Sequence, residues 1–409
     1  MDRISLKDLA VPIIKSIDSF NYLLKSHHRR TAVASYAIAK KMGLSNEDLF
    51  ELVVAAGLHD IGALSIQERD LLVQEDVVNP TPHCIMGHRM LESFDAFENI
   101  AQIIRHHHIR YQDSLDVQDG EVLFQSHIIH LADRVDVLIN PDNFILNQKE
   151  HVTETIRAKV GTTFHPDVFE AFNEVSKADV FWFEINNLEM DQLFRRLDVS
   201  VDFELTIDNI IDFALTLSRI IDFRSRFTAS HSYTVAHLSS FLGKYLGFSE
   251  EGCKKLLVSG YLHDIGKIGI DPELIEKKGP LSDEEYNLVK LHAYYTGQIL
   301  NELSQSPWFR EIVTWAERHH EKSDGTGYPH ALDESSLDVG AKIIAFSDVI
   351  SALLEERPYR KGMSIDKAFN IIRNEIAPSI SPSMFQMIEQ HKDEINELVV
   401  TCHNYSFNE

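Results

Sequence analysis

Apolar residues recur at three- and four-residue steps along most of the chain, the spacing that lays them on one face of an α-helix. Thr31–Met42 (TAVASYAIAKKM) and Tyr233–Leu246 (YTVAHLSSFLGKYL) show it most clearly. Each stretch stops at a glycine and reopens at a serine followed by acids, Gly43-Leu44-Ser45-Asn46-Glu47 and Gly247-Phe248-Ser249-Glu250-Glu251. A glycine just past one helix and a serine just before the next are stop and start signals. Only Phe181–Ile185 and Val199–Leu205 read as strands. The pattern predicts an all-α protein.

Those two helix–glycine–serine stretches superpose at an offset of 204 residues. His27 then falls on His231, His59-Asp60 on His263-Asp264, and His88 on His292. The flanks agree, AAGLHDIG (Ala55–Gly62) against VSGYLHDIG (Val258–Gly266). Further on the offset drifts: His107-His108 meets His319-His320, Asp133 meets Asp348, and Pro166 meets Pro382. Loop insertions account for drift, and polar positions kept in order identify an internal repeat. The expected domains are 1–198 and 199–409, two copies of one helical unit.

Composition narrows the chemistry. At 409 residues, 44% hydrophobic and 25% charged, the chain is globular and long enough for two domains. Its three cysteines, Cys84, Cys253 and Cys402, lie far apart. That spacing excludes a disulfide framework and suits a reducing, cytoplasmic setting. No apolar run approaches the roughly 18 residues of a membrane span, so no membrane partner is expected. A net charge of −24 repels nucleic-acid polymers and anionic lipid, so any phosphate chemistry needs a local cationic site. The histidines, 21 of them, stand out.

The positions that recur in the second copy are His231, His263, Asp264, His292, His319, His320 and Asp348. Imidazoles and carboxylates without a thiolate suit a borderline ion such as Fe, Mn, Zn or Ni. Their separations of 27 to 32 residues, up to the histidine pair, are each about one helix hairpin, so the ligands would converge from several helices. Seven ligands are too many for one tetrahedral ion and suit two, with Asp264 as the bridge. An ion is also the readiest partner for an aspartate inside the apolar run LVSGYLHDIGKIGI. The charged stretch Asp283–Lys290 (DEEYNLVK) and the pair Glu355-Glu356 read as solvated helix surface.

HDIGKIGI (His263–Ile270), HHEKSDGTGYP (His319–Pro329) and IIAFSDVISALLEERPYRK (Ile343–Lys361), in that order, resemble the HD-GYP family of metal-dependent phosphodiesterases over residues 225–385. The resemblance implies hydrolysis of a 3′,5′-linked cyclic dinucleotide, cyclic di-GMP or 3′3′-cyclic GMP-AMP. The product would be a linear dinucleotide with a 5′-phosphate, and the nucleophile a metal-activated hydroxide. It implies that the recurring histidines and aspartates bind two divalent transition-metal ions, Fe or Mn ahead of Ni or Zn. Asp264 and Lys267 would be catalytic, with Lys267 at the scissile phosphate. Arg357 and Arg360 would hold substrate phosphates beside the loop of Gly327, Tyr328 and Pro329. Two departures stand out. Phe227 occupies the position of the glutamate that carries a third metal in some members, and Thr234 that of a frequent arginine.

The first copy retains His27, His59, Asp60, His88, His107, His108 and Asp133 as a second candidate metal set. It lacks the rest: Ala63 replaces the lysine, Ile109–Gly120 has no Gly-Tyr-Pro, and no arginine pair follows Asp133. His88 and His107 are 19 residues apart where His292 and His319 are 27 apart. The resemblance therefore implies two tandem HD-type domains, an active second copy and a degenerate first one, paired within the chain as a pseudo-dimer. The first copy is expected to bind metal and support its partner, against the alternative of an active HD hydrolase on another phosphoester, such as a nucleotide. For the whole chain, the alternatives are a non-catalytic module that binds cyclic dinucleotide and an HD phosphohydrolase acting on nucleotides.

Overall fold

The computed structural model describes residues 6–20, 26–63, 81–117, 122–197, 205–224, 230–275, 277, 279–355, 362–376 and 382–403. The chain divides into two compact units between Glu204 and Leu205. The described residues form helices and turns, with no strand beyond two isolated bridges, Val160 with Phe164 and Asp324 with Asp333. No described helix is long and apolar enough to cross a membrane.

The first unit contains α1 (Leu6–Phe20), α2 (His27–Met42), α3 (Asn46–Leu58), α4 (Thr81–Leu91), α5 (Glu98–Arg105), α6 (Phe124–Val137), α7 (Lys149–Arg157), α8 (Pro166–Val175) and α9 (Asp179–Asn187). The second contains α10 (Ile207–Arg224), α11 (His231–Tyr245), α12 (Glu250–Leu262), α13 (Asp283–Leu300), α14 (Pro307–Glu317), α15 (Val339–Leu354), α16 (Ile365–Ile371), α17 (Pro382–Glu389) and α18 (Lys392–His403). The stop and start signals act as the sequence predicts. Gly43 and Gly247 close α2 and α11 at φ of 81° and 87°. Ser45 and Ser249 then cap the next helices, each hydroxyl accepting from a backbone N–H at 3.1 Å.

One strand expectation is overturned: Phe181–Ile185 lies inside α9. Phe181, Trp182 and Ile185 are buried at helical spacing, so packing of one helix face outweighs their β-propensity. Val199–Leu205 falls almost wholly outside the described residues.

A carboxylate from the first helix of each unit starts the second. Asp18 accepts from the backbone N–H groups of His28 and Arg29 at 3.1 and 2.8 Å. Asp222 accepts from Ser232 N–H at 3.2 Å and from its hydroxyl at 2.8 Å. Burial pushes the Asp222 carboxyl up to about 7, while His28 outweighs burial and holds that of Asp18 below the usual range, where negative charge at a helix N-terminus is stabilising. In each unit the carboxyl group caps the second helix. It fixes the turn of backbone that presents His27 and His231 as the first residues of α2 and α11.

Glycines set the next approach. A Cβ on Gly266 would lie 1.9 Å from the His292 carbonyl oxygen and 2.5 Å from Thr296 N. One on Gly62 would lie 2.1 Å from the His83 carbonyl oxygen and 2.4 Å from Gly87 N. Only glycine lets the His-Asp turn press against α13 or α4 so closely.

Candidate metal centres

Five segments of the second unit bring their side chains to one buried point. His231 opens α11, His263 caps the end of α12 and Asp264 follows in the turn. His292 comes from α13, His319 and His320 follow α14, and Asp348 comes from α15. The His-Asp pair thus sits where the helix ends, which aims both side chains the same way.

A repeated device orients the imidazoles. The Nδ1 atoms of His263, His292 and His319 lie 2.7, 2.5 and 2.7 Å from the carbonyl oxygens of Gly260, Val289 and Ala316, each three residues earlier. An N–H on Nδ1 donates to that carbonyl, which leaves the Nε2 lone pair for the centre. His231 Nδ1 is 3.3 Å from Ser351 Oγ, and its Nε2 is 3.1 Å from Asp348 Oδ1. Asp264 divides the set: Oδ2 is 3.2 Å from His263 Nε2, while Oδ1 is 3.5 Å from His292 Nε2 and 4.0 Å from His319 Nε2.

The charges are coupled. Burial raises the Asp264 carboxyl, but Lys267 and His263 outweigh it and hold it well below the usual carboxylate range. Burial opposes a proton on His263, yet Asp264 carries its pKa up to about 9. Burial and neighbouring imidazoles push His319 well down, and His320 to about 3, keeping both neutral. Lys267 pairs directly with Asp264 Oδ2.

The Gly-Tyr-Pro loop closes one side. Tyr328 stacks on His320, centroids 4.8 Å apart at 35°. Gly327 is dictated by crowding, since a Cβ there would lie 2.4 Å from Glu321 Cα and from Lys322 N. The buried Glu321 carboxylate accepts from the N–H groups of His330 at 2.6 Å and Leu332 at 2.9 Å, pinning the loop. Arg357, Arg360 and Phe227 lie outside the described residues.

The first unit builds the same centre, with one correction. His88 does not join it: its Nδ1 lies 3.2 Å from Glu92 one turn along α4. His83 takes the place instead, with Nε2 3.3 Å from Asp60 Oδ1 and 3.2 Å from His107 Nε2. The Gly62 and Gly266 contacts explain the register, because they equate His83 with His292 and Gly87 with Thr296. His83 and His107 are 24 residues apart, so the missing residues precede α4 more than they follow it. The repeat offset had hidden this.

The remaining members converge as expected. His27 Nε2 is 3.3 Å from His59 Nε2 and 3.4 Å from Asp133 Oδ1. His59 and His107 repeat the carbonyl device, on Ala56 at 2.8 Å and Ile104 at 2.6 Å. Asp60 again has two sides, Oδ2 at 3.3 Å from His59 and Oδ1 towards His83 and His107. His108 Nδ1 stands 3.8 Å from Asp133. His28, one residue past His27, is held by Asp18 at 2.9 Å.

Two further residues escaped the sequence reading. His27 Nδ1 is held by Asp136 at 2.6 Å, and Asp136 is in turn paired with Arg30. In the second unit their counterparts are Ser351 and Thr234. A buried Glu355 also stands 3.7 Å from His231 Nδ1, so its reading as solvated surface is overturned. The arginine and the aspartate it neutralises have been replaced together. That gives Thr234 a physical account, since its hydroxyl donates to Ser230 O at 2.8 Å and needs no acid opposite.

Both clusters fit metal on their own chemistry. Asp60 Oδ1, His108 Nε2 and His263 Nε2 are buried without a hydrogen bond. Imidazole nitrogens and carboxylate oxygens, gathered within coordinating reach of one another, are what a borderline cation satisfies, displacing the proton that Asp264 holds on His263. They differ in access. The Asp348 side chain is 17% exposed and that of Asp133 only 1%.

An all-helical unit that gathers histidines around a helix-end His-Asp pair defines the HD class of helical hydrolase domains. The chain belongs to the HD domain family, whose model matches residues 13–142 and 216–381. It is 30% identical to the 3′3′-cGAMP-specific phosphodiesterase 1 of Vibrio cholerae, over 97% of this chain and 94% of that one. A cyclic di-GMP phosphodiesterase of Thermotoga maritima is 31% identical over 43% of this chain and 47% of its own. The crystal structure of a cyclic GMP-AMP-specific phosphodiesterase of V. cholerae, V-cGAP3, shares the fold with a TM-score of 0.63, covering 99% of each chain at 21% identity.

Proposed function

We propose that the second unit hydrolyses a 3′,5′-linked cyclic dinucleotide, 3′3′-cyclic GMP-AMP or cyclic di-GMP, to a linear dinucleotide with a 5′-phosphate. The observation that carries this is the two-sided placement of Asp264, with His263 at one oxygen and His292 and His319 at the other, beside Lys267 and the Tyr328 loop. The full-length likeness to a 3′3′-cGAMP-specific enzyme supports the substrate class.

His231, His263, Asp264 and Asp348 would hold one divalent ion, and Asp264, His292, His319 and His320 the other, with Fe or Mn favoured by the donor set. Bound there, such ions supply a water acidified towards a pKa of about 7 and polarise the phosphoryl oxygens. The chain's own residues do the rest. The carbonyl-bound imidazoles keep their lone pairs inward without reorganising. Lys267, kept charged by Asp264 against the cost of burial, stabilises negative charge as it develops on the phosphoryl group. Tyr328 covers His320 and shields that side from water. Arg357 and Arg360 are assigned to the substrate phosphates on sequence alone.

The first unit, we propose, binds metal through His27, His59, Asp60, His83, His107, His108 and Asp133 but does not cleave the cyclic dinucleotide. All seven are buried, no lysine stands at Ala63, and Arg134 occupies the outer oxygen of Asp133.

The test is a product assay on Mn- or Fe-loaded full-length protein with both cyclic dinucleotides. Conversion to a linear 5′-phosphorylated product, lost in Asp264→Ala and retained in Asp60→Ala, supports both assignments. Binding without product would favour a sensor, and product lost only in Asp60→Ala would reverse the roles of the units.

A further inference from the structure

A cyclic dinucleotide has two phosphates and two bases, and the cluster around Asp264 addresses one phosphate. The other half of the ring must rest on protein nearby. In a chain of net charge −24 a cation next to the site is therefore informative.

Such a cation stands on α13, together with an aromatic surface. Tyr286 and Lys290 are four residues apart on this helix, hence on one face. Lys290 Nζ lies 4.7 Å from the Tyr286 ring centroid and 5.8 Å from that of Tyr328. Tyr286 meets Tyr328 edge to face, centroids 6.5 Å apart. Tyr328 stacks in turn on His320. An aromatic path thus runs from the metal cluster outward and ends in Tyr286, which is 46% exposed.

The solvated-surface reading of Asp283–Lys290 explains Glu284 but not an open tyrosine face fixed by the catalytic loop. At the offset of 209 that equates His83 with His292, Tyr286 and Lys290 fall on Val77 and Thr81. At these positions the first copy thus has neither an aromatic ring nor a cation, and the pair goes with the copy that carries Lys267 and Gly-Tyr-Pro.

We propose that Tyr286 and Lys290 form the subsite for the non-scissile half of the substrate, a purine stacking on Tyr286 and the second phosphate pairing with Lys290. This rests on the function proposed above. Stacking on one aromatic and one phosphate contact each make a difference of about ten-fold in affinity.

The experiment compares Tyr286→Ala, Lys290→Ala and Lys290→Arg with wild type on the cyclic dinucleotide and on bis(p-nitrophenyl) phosphate, a diester without base or second phosphate. The expected result is a KM about ten-fold higher for the dinucleotide in both alanine variants. Its kcat stays within about two-fold, the preference over the small diester falls in proportion, and Lys290→Arg recovers most of the loss. An unmoved KM, or equal losses on both substrates, overturns the subsite and leaves the activity standing. Wild-type protein that cleaves only the small diester overturns the proposed function, and the subsite with it.

Discussion

Arg134 donates from Nε and Nη2 to the same oxygen of Asp133, at 2.9 and 2.7 Å. The residue after the matching Asp348 is Val349, which offers no such donor. This substitution next to a carboxylate is one of the differences that separate the two centres. In the first unit the outer oxygen is occupied and the site is closed, while in the second Asp348 remains partly open to solvent.

This pair predicts a stability effect that depends on metal. Arg134→Ala strands a buried carboxylate, and breaking one side of a buried ion pair costs about 3 kcal/mol. A divalent ion on Asp133 supplies compensating charge, so the loss should shrink when metal is present. Denaturant unfolding of the first unit with chelator and with excess Mn measures both. An equal loss in the two conditions would separate Arg134 from the metal site.

Metal analysis distinguishes His83 from His88. His83→Ala should lower the bound metal of the full chain, because His83 touches Asp60 and His107. His88→Ala should leave the metal content as in wild type, because that side chain faces Glu92. The reverse pattern would restore the register expected from the repeat.

Much of this was legible in the sequence, for identifiable reasons. Helix ends were marked by Gly43, Ser45, Gly247 and Ser249, whose backbone and capping roles are local. His231, His263, Asp264, His292, His319, His320 and Asp348 stood out because chemistry restricts which side chains can do that work. His83 was hidden because its register comes from backbone packing of Gly62 against α4, across a stretch of different length in the two copies. Asp136 and Arg30 were hidden because they act through His27, and a residue that orients another leaves no motif of its own. The helix at Phe181–Ile185 was misread because aromatic residues favour strands locally, and only tertiary burial makes them helical here.

Lys267→Ala tests charge stabilisation apart from metal binding. Removing one preorganised donor to a developing oxyanion typically lowers kcat by roughly 100- to 1,000-fold. Metal content should stay near wild type, since no imidazole contact depends on the lysine. A parallel fall in metal and turnover would reassign Lys267 to holding Asp264 in place.

The first unit should weaken in mild acid through His127. Burial, then the nearby His165 and His106, push this imidazole from 6.5 down to about 4. The unfolded chain then binds the extra proton, so stability is intact above pH 6.5 and falls as pH drops towards 4. The difference amounts to about 3 kcal/mol across that window. His127→Leu should flatten the pH dependence of unfolding relative to wild type, and an unchanged slope would show that folding leaves the affinity of this imidazole for a proton unaltered.

Gly327→Ala separates loop placement from metal binding in the second unit. The added Cβ would press on Glu321 Cα and Lys322 N at 2.4 Å, both backbone atoms that cannot rotate away. The loop must therefore shift. Glu321, which holds its far side through His330 and Leu332, opposes the shift, so Tyr328 is the part that gives way and lifts from His320. The metal-facing nitrogens stay fixed, because carbonyl oxygens of α13 and α14 hold His292 and His319 independently of the loop. Metal content should be retained while kcat/KM for the cyclic dinucleotide falls about ten-fold or more, the loss expected for a misplaced positioning residue. Tyr328→Phe keeps the stack and should fall much less than Gly327→Ala. Equal losses would mean that the hydroxyl, and not the ring on His320, is what the loop delivers.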